Sequence, residues 1–449
     1  MLKLPRRSYV VLFLGLSIVY HSNLRPIAAG DSLAAALLPF SILLDHTARL
    51  DRFGPWVREH PEYSSAVAEI RGHYYSGYPI AGAILATPLY LPILAFGDGL
   101  RGWQPGALIA LARILEKVVA AAIAACSAVL MLILLRRLTS ERWAWALTLV
   151  YALGTVTCST SSQALWQHTT GQVAIIGALL FLDRRQLWLC GACAACALMI
   201  RPTNIVLLPA ILAALFAIRA RASEYFRCAA FPAVAGLLVL SYNLELFRYP
   251  AGAYPLAWFD GSLWNGLAGI LFSPGRGLLI YTPVALLALA ALMPAAAIAR
   301  GKHTALFVAS AVFVVLHCIV IAKFRIWWGG YSWGPRLLAE IVPPLIVLMA
   351  LGSGAFEAGW AKRVFAVLAI YGCLVQALGI YFYPKGHWDN LPISVDQAPE
   401  RAWDWRDNPI VRTAAAGPAW EPYAIVGAAL SGGTRGAARK LQELGVNPY

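Results

Sequence analysis

Residues 9–36 read YVVLFLGLSIVYHSNLRPIAAGDSLAAA. The first part, residues 9–27, is an apolar run of the length that crosses a bilayer's hydrocarbon as a helix. Lys3, Arg6 and Arg7 precede it. No small-residue cleavage site separates it from the next structured stretch, so it is kept as a span rather than discarded as a signal peptide. Directly after it, residues 28–36 carry one acid, Asp31. A carboxylate at the mouth of a span is either a solvated loop group or a catalytic group held at the lipid–water boundary. Which reading applies depends on what the rest of the chain brings to the same face.

The chain has 449 residues, 60% hydrophobic and 13% charged, where soluble proteins carry about 25% charged residues. Further apolar runs predict spans at 107–135, 143–160, 169–182, 187–201, 203–218, 228–246, 278–298, 304–322, 337–351 and 364–383. The expected fold class is therefore an all-α polytopic membrane protein with about 11 transmembrane helices. Residues 1–383 form the membrane domain, with a long outer loop over 28–106, and residues 384–449 form a small outer C-terminal segment.

The net charge of +14 does not mark a nucleic-acid binder. With the N-terminus inside, the inner loops collect fifteen basic residues, among them Arg136, Arg137, Arg184, Arg185, Arg219, Arg300 and Lys362, against Glu141, Asp183, Glu224 and Glu357. The excess is an orientation signal. Residues 79–97 are apolar but broken by Pro79, Pro88 and Pro92. Were they to span, every later loop would invert against the positive-inside pattern, so they are read as an interfacial or re-entrant helix of the outer loop.

Within that loop, residues 33–50 suggest an amphipathic helix lying on the membrane, residues 51–55 a turn, and Glu59, Glu62 and Glu69 a polar helix. Cys190, Cys193 and Cys196 are spaced by three in an Ala-rich helix without a fourth ligand, which suits close helix packing better than zinc. No phosphate loop, zinc pattern or nucleophile elbow appears.

Candidate binding residues map to the face that holds Asp31. Arg113, Glu116 and Lys117 open the second span, where charges must pair or face a polar cavity; Arg113 and Lys117 lie one turn apart and either present positive charge together or join an ion network within the helix. His168 and Arg201 stand at outer turns, the first catalytic or structural, the second able to snorkel to the surface. Arg276 closes an aromatic- and Gly-rich loop. Lys323, Arg325 and Arg336 are set among aromatics, a mixture that suits an anionic headgroup, because guanidinium binds phosphate bidentately. Glu340, one turn beyond Arg336, is placed to orient it.

Gly30-Asp31, Gly77-Tyr78-Pro79, Arg113, Arg201-Pro202 and Trp328-Gly-Gly-Tyr-Ser-Trp-Gly-Pro-Arg336, in this order, resemble the layout of GT-C membrane glycosyltransferases, of which protein O-mannosyltransferases and the aminoarabinose transferase are members. The resemblance covers most of residues 1–383. It implies a polyprenyl-phosphate-linked sugar donor, transfer on the outer face with inversion, Asp31 as general base, Arg113 and Arg336 as phosphate ligands, and no required cofactor. Ser32 stands where many relatives carry a second acid, which leaves the acceptor open. A lipid-linked glycan transporter and a polymerase or ligase with a pyrophosphate donor are the competing classes. High alanine content fits a bacterial inner membrane.

Overall fold

The computed structural model describes residues 6–254 and 256–443, excepting the side chains of residues 6, 93–98, 295, 434–438 and 441–442. Lys3 and the end of the tail lie outside these. The chain is helical almost throughout, with one two-stranded hairpin, and its fold is that of a polytopic membrane protein. Among the described residues four helices are long and apolar enough to cross a membrane, Pro105–Leu138, Ala222–Phe247, Thr304–Ala322 and Gly359–Tyr381. Shorter apolar helices, including Leu187–Ile200 and Leu263–Phe272, pack among them. Element boundaries follow the apolar runs closely: the expected 107–135, 187–201 and 304–322 appear as Pro105–Leu138, Leu187–Ile200 and Thr304–Ala322. The count of eleven is less direct, because several runs break: residues 278–298 become Leu278–Tyr281 followed by a 3-10 stretch, Pro283–Leu292.

The Pro105–Leu138 helix organises the site. At about 1.5 Å per residue its 34 residues reach roughly 50 Å, well beyond a hydrocarbon layer of about 30 Å. At one end the Arg136 guanidinium lies 4.8 Å over the Tyr9 ring. At the other, Arg113 donates to the Ala29 carbonyl (3.3 Å) and the Ser32 hydroxyl (3.1 Å). The helix Arg6–His21 therefore runs antiparallel to it, and residues 28–104 leave and re-enter the bundle at the same end. That segment builds its own core, Leu33, Leu37, Phe40, Phe53 and Tyr90, around Leu108 and Ala112 of the long helix.

Two local expectations are corrected. Residues 33–50 do not form an amphipathic surface helix. The helix is Gly30–Asp45, and it is buried on most sides because the rest of the segment wraps it. Glu59, Glu62 and Glu69 do not share a polar helix. Glu59 ends a short helix, Gly54–Glu59, and Glu69 lies on a strand, Val67–Ile70, paired antiparallel with His73–Ser76. The turn between the strands, Arg71-Gly72, has positive φ at both residues (53° and 78°), the geometry that matches the twist of a two-residue hairpin. Residues 79–97 are a short helix, Ala81–Ala86, running into a 3-10 stretch, Thr87–Phe96. Gly82 sits against Thr170 and Ile200, so this stretch lies across the ends of two bundle helices.

The cysteines are free, and close helix packing is visible around two of them. A Cβ on Gly177 would come 2.9 Å from the Cys193 sulfur, and one on Gly191 would come 2.7 Å from the Cys228 carbonyl oxygen. Gly191→Val should therefore push Leu187–Ile200 off Ala222–Phe247 and destabilise the protein by about 1–3 kcal/mol. Gly106→Ala, which meets no atom within 4 Å, should leave the melting temperature in nanodiscs unchanged. Equal melting of the two variants would show that this contact does not hold the helices together.

Candidate active site

The site is assembled from three segments that meet at the end of the bundle where residues 28–104 enter and leave. The first is the start of the Gly30–Asp45 helix, which carries Asp31 in its first turn. The second is the loop after the hairpin, which carries Tyr78. The third is Trp327-Trp-Gly-Gly-Tyr-Ser-Trp-Gly-Pro-Arg336. Gly329 and Gly334 have φ of 76° and 64°, a left-handed backbone that residues with a Cβ adopt reluctantly. Those turns fold the third segment back on itself and aim Arg336 at the first.

Arg336 donates from Nη1 to Asp31 Oδ2 at 2.6 Å and from Nη2 to the Gly329 carbonyl at 2.6 Å. Its guanidinium lies 4.5 Å over the Trp166 ring, a cation–π contact. The Tyr78 hydroxyl donates to Asp31 Oδ1 at 2.9 Å. Burial opposes ionisation of Asp31, but the Arg336 charge and the hydrogen bonds from Arg336 and Tyr78 outweigh it and hold the carboxyl below its ordinary range. Burial and the neighbouring Asp31 charge push the Tyr78 phenol upward, so it stays a donor. The Asp31 side chain remains 39% exposed while that of Arg336 is 9% exposed.

The other candidates take different positions. Arg113 does not join Lys117 in a shared positive patch. It pairs with the fully buried Glu116 (2.7 Å) and ties the start of the Asp31 helix to the long helix; the ion network within the helix is what forms. Lys117 is buried and donates to Gln163, which also accepts from Asn23. Arg201 does not snorkel to the surface, and Glu340 does not orient Arg336. They pair with each other at 2.6 Å, and His168 Nδ1 bonds the same carboxylate at 2.8 Å. The reason is local: residues Arg336–Ile341 form a 3-10 turn, where four residues advance about 120° past a full turn, so Glu340 points away from Arg336. Arg276 is buried against Asp389. Lys323 and Arg325 sit beside Asp260, which Arg325 pairs in an exposed bridge. The structure thus gathers Asp31, Tyr78 and Arg336, ties the Asp31 helix to Arg113, sets Arg201, His168 and Glu340 in a buried cluster of their own, places Arg276 against the loop before Arg336, and leaves Lys323 and Arg325 aside.

Sequence reasoning missed Trp166, Asp389 and Tyr254. The Tyr254 ring meets that of Tyr78 edge-on at 6.0 Å, and its hydroxyl accepts from Gln167 at 3.2 Å; burial pushes the phenol up to about 12. Tyr78 and Tyr254 also line a cavity of ≈ 320 Å³ whose other walls include Pro79, Ile84, Met199 and Leu238. The cavity is mainly apolar, with Asn243 among its walls, and Tyr78, whose hydroxyl bonds Asp31, is one of its lining residues.

No family model matches the sequence, and no curated protein aligns with it. The fold has counterparts among solved structures. The crystal structure of ArnT from Cupriavidus metallidurans bound to undecaprenyl phosphate superposes with a TM-score of 0.52 at 13% identity, over 97% of this chain and 74% of that one. The apo structure of the same ArnT gives 0.48 at 15% identity, over 98% and 73%. The fold of this chain is accordingly similar to that of the undecaprenyl-phosphate-bound ArnT.

A carboxyl held below its ordinary range stabilises the fold at neutral pH, and that contribution is lost as pH falls through the folded-state value. Arg336→Gln removes the main cause of the depression. Its melting temperature should lie below wild type at pH 7, and the gap should close as the medium is acidified past the ordinary aspartate value of about 4. A gap that stays constant with pH would show that Asp31 does not titrate against Arg336.

Proposed function

We propose that the chain is a membrane glycosyltransferase that moves a sugar from a polyprenyl-phosphate-linked donor to a glycan, lipid or protein acceptor at the outer face of a bacterial inner membrane. The observation that carries this reading is that Tyr78 both lines a mainly apolar cavity and bonds the part-exposed Asp31 carboxylate, which Arg336 pairs. A ligand suited to that junction has an isoprenoid chain at one end and a phosphate at the other. The ArnT of similar fold was crystallised with undecaprenyl phosphate, which supports a carrier of this class.

The chemistry divides between two groups. The acceptor hydroxyl or amine attacks the anomeric carbon and gives its proton to Asp31. The bond from that carbon to the phosphate oxygen breaks, and the departing phosphate takes the Arg336 guanidinium as its counter-ion. Attack opposite the leaving group inverts the anomeric centre. Asp31 and the phosphate compete for Arg336, so arrival of the donor frees the carboxylate from its ion pair and restores the basicity that the pair suppresses. Arg113 acts in this scheme by holding the Asp31 helix, while the charge pattern of the loops supplies the orientation, N-terminus inside and C-terminal segment outside.

The test is sugar transfer by the purified full chain in nanodiscs, offered a panel of labelled polyprenyl-phosphate sugars. Asp31→Asn is nearly isosteric and should lower turnover by about 10²- to 10⁴-fold without loss of folded protein. Equal turnover would remove Asp31 from the reaction, and labelled lipid crossing between leaflets with no donor consumed would favour a transporter. Filling the cavity separates the two ends of the ligand: Leu238→Trp should raise KM for a long-chain donor about tenfold with little change in kcat, because chain binding is equal in ground and transition states. A fall in kcat with KM unchanged would place the lipid elsewhere.

A further inference from the structure

Among the described residues the C-terminal segment contributes no group to the Asp31–Arg336 pair, yet it touches the loop that aims Arg336. Arg276 is the link. It is 1% exposed and donates from Nε to the Trp328 carbonyl (3.0 Å) and from Nη2 to the Gly330 carbonyl (3.0 Å). The carbonyl between them, on Gly329, is the one that accepts from Arg336. Three consecutive carbonyls are thus held by two arginines. Arg276 is itself fixed by the Asp389 carboxylate, which also accepts from the Tyr383 hydroxyl at 2.6 Å. The same segment reaches the loop twice more, where Asp396 accepts from the Trp328 indole at 2.7 Å and Ser394 shares a hydrogen bond with the Tyr331 hydroxyl at 2.7 Å, and beside Arg276 the Ala402 carbonyl accepts from the Gly275 amide at 3.0 Å.

We propose that residues 383–402 are a latch whose Asp389 holds Arg276, so that Arg276 fixes the 328–330 carbonyls and they in turn set the direction of Arg336. Arg276 and Asp389 are then positioning residues, and Arg276 is not a phosphate ligand. Four of its five N–H groups are already engaged by the Trp328, Gly275 and Gly330 carbonyls and by Asp389, which leaves a substrate almost nothing to bind. The inference rests on the reading of Asp31 and Arg336 as the reacting pair.

The test is amide hydrogen exchange of the full chain in nanodiscs, for wild type and Asp389→Asn. The expected result is exchange about tenfold faster over residues 328–336, with the Pro105–Leu138 helix unchanged. Asp389→Asn leaves a buried cation unpaired and can unfold the protein. The paired variant Arg276→Met/Asp389→Leu replaces both charges by apolar groups of similar volume, a change buried pairs commonly tolerate, and should loosen the same residues. In sugar transfer both variants should lose about tenfold in kcat with KM within about twofold. Unchanged exchange over 328–336 in the paired variant would overturn the latch, as would acceleration spread through the whole bundle. A wild type that transfers no sugar while its variants loosen locally would refute the transferase reading and still establish the latch.

Discussion

A charge withdrawn from water inside a helical bundle has to be met by an opposite charge or by several dipoles, because its desolvation cost is several kcal/mol even after relaxation. Four arginines at one end of this protein obey that constraint, each with a carboxylate: Arg113 with Glu116, Arg201 with Glu340, Arg276 with Asp389 and Arg336 with Asp31. The pairs look alike as chemistry and differ in access. Side chains of Glu116 and Glu340 are fully buried and that of Asp389 is 5% exposed, whereas Asp31 is 39% exposed. Three pairs are closed and hold helices and loops together. The fourth is partly open to the surface, and this difference in access, rather than residue type, is what singles it out as the candidate site.

The same constraint explains how much was legible in the sequence. Long apolar runs and the clustering of basic residues in alternate loops fix most helix boundaries, because they are properties of the segment itself. The prominence of Asp31 and of the glycine- and tryptophan-rich run before Arg336 was also visible, since each interrupts a pattern. Pairing was not. Asp31 and Arg336 are 305 residues apart and Arg276 and Asp389 are 113 apart, so nothing local says which acid meets which base. Assigning Glu340 to Arg336 from their spacing assumed an α-helical turn, and the 3-10 geometry over Arg336–Ile341 rotates the two apart. The hairpin was missed for a related reason: its strands are four residues long, too short for alternation to stand out, and its turn residues, Arg71-Gly72, carry one glycine rather than two turn formers.

Arg336 has two anchors of different character. Its bond to the Gly329 carbonyl belongs to a loop held from behind by Arg276, and its bond to Asp31 joins it to a separate helix held by Arg113. In the proposed reaction, replacing Asp31 by a phosphate would exchange one anion for another at the same nitrogen and leave the carbonyl anchor in place. The guanidinium then need not be reoriented when a ligand arrives, so little conformational entropy is lost on binding. What changes is the carboxylate. In the proposed reaction the carboxylate, released from Arg336 but still bonded to Tyr78, would become a stronger base when a phosphate is present. The proposed wiring would couple proton removal to the presence of the leaving group, which is the order a displacement at a phosphate-linked carbon requires.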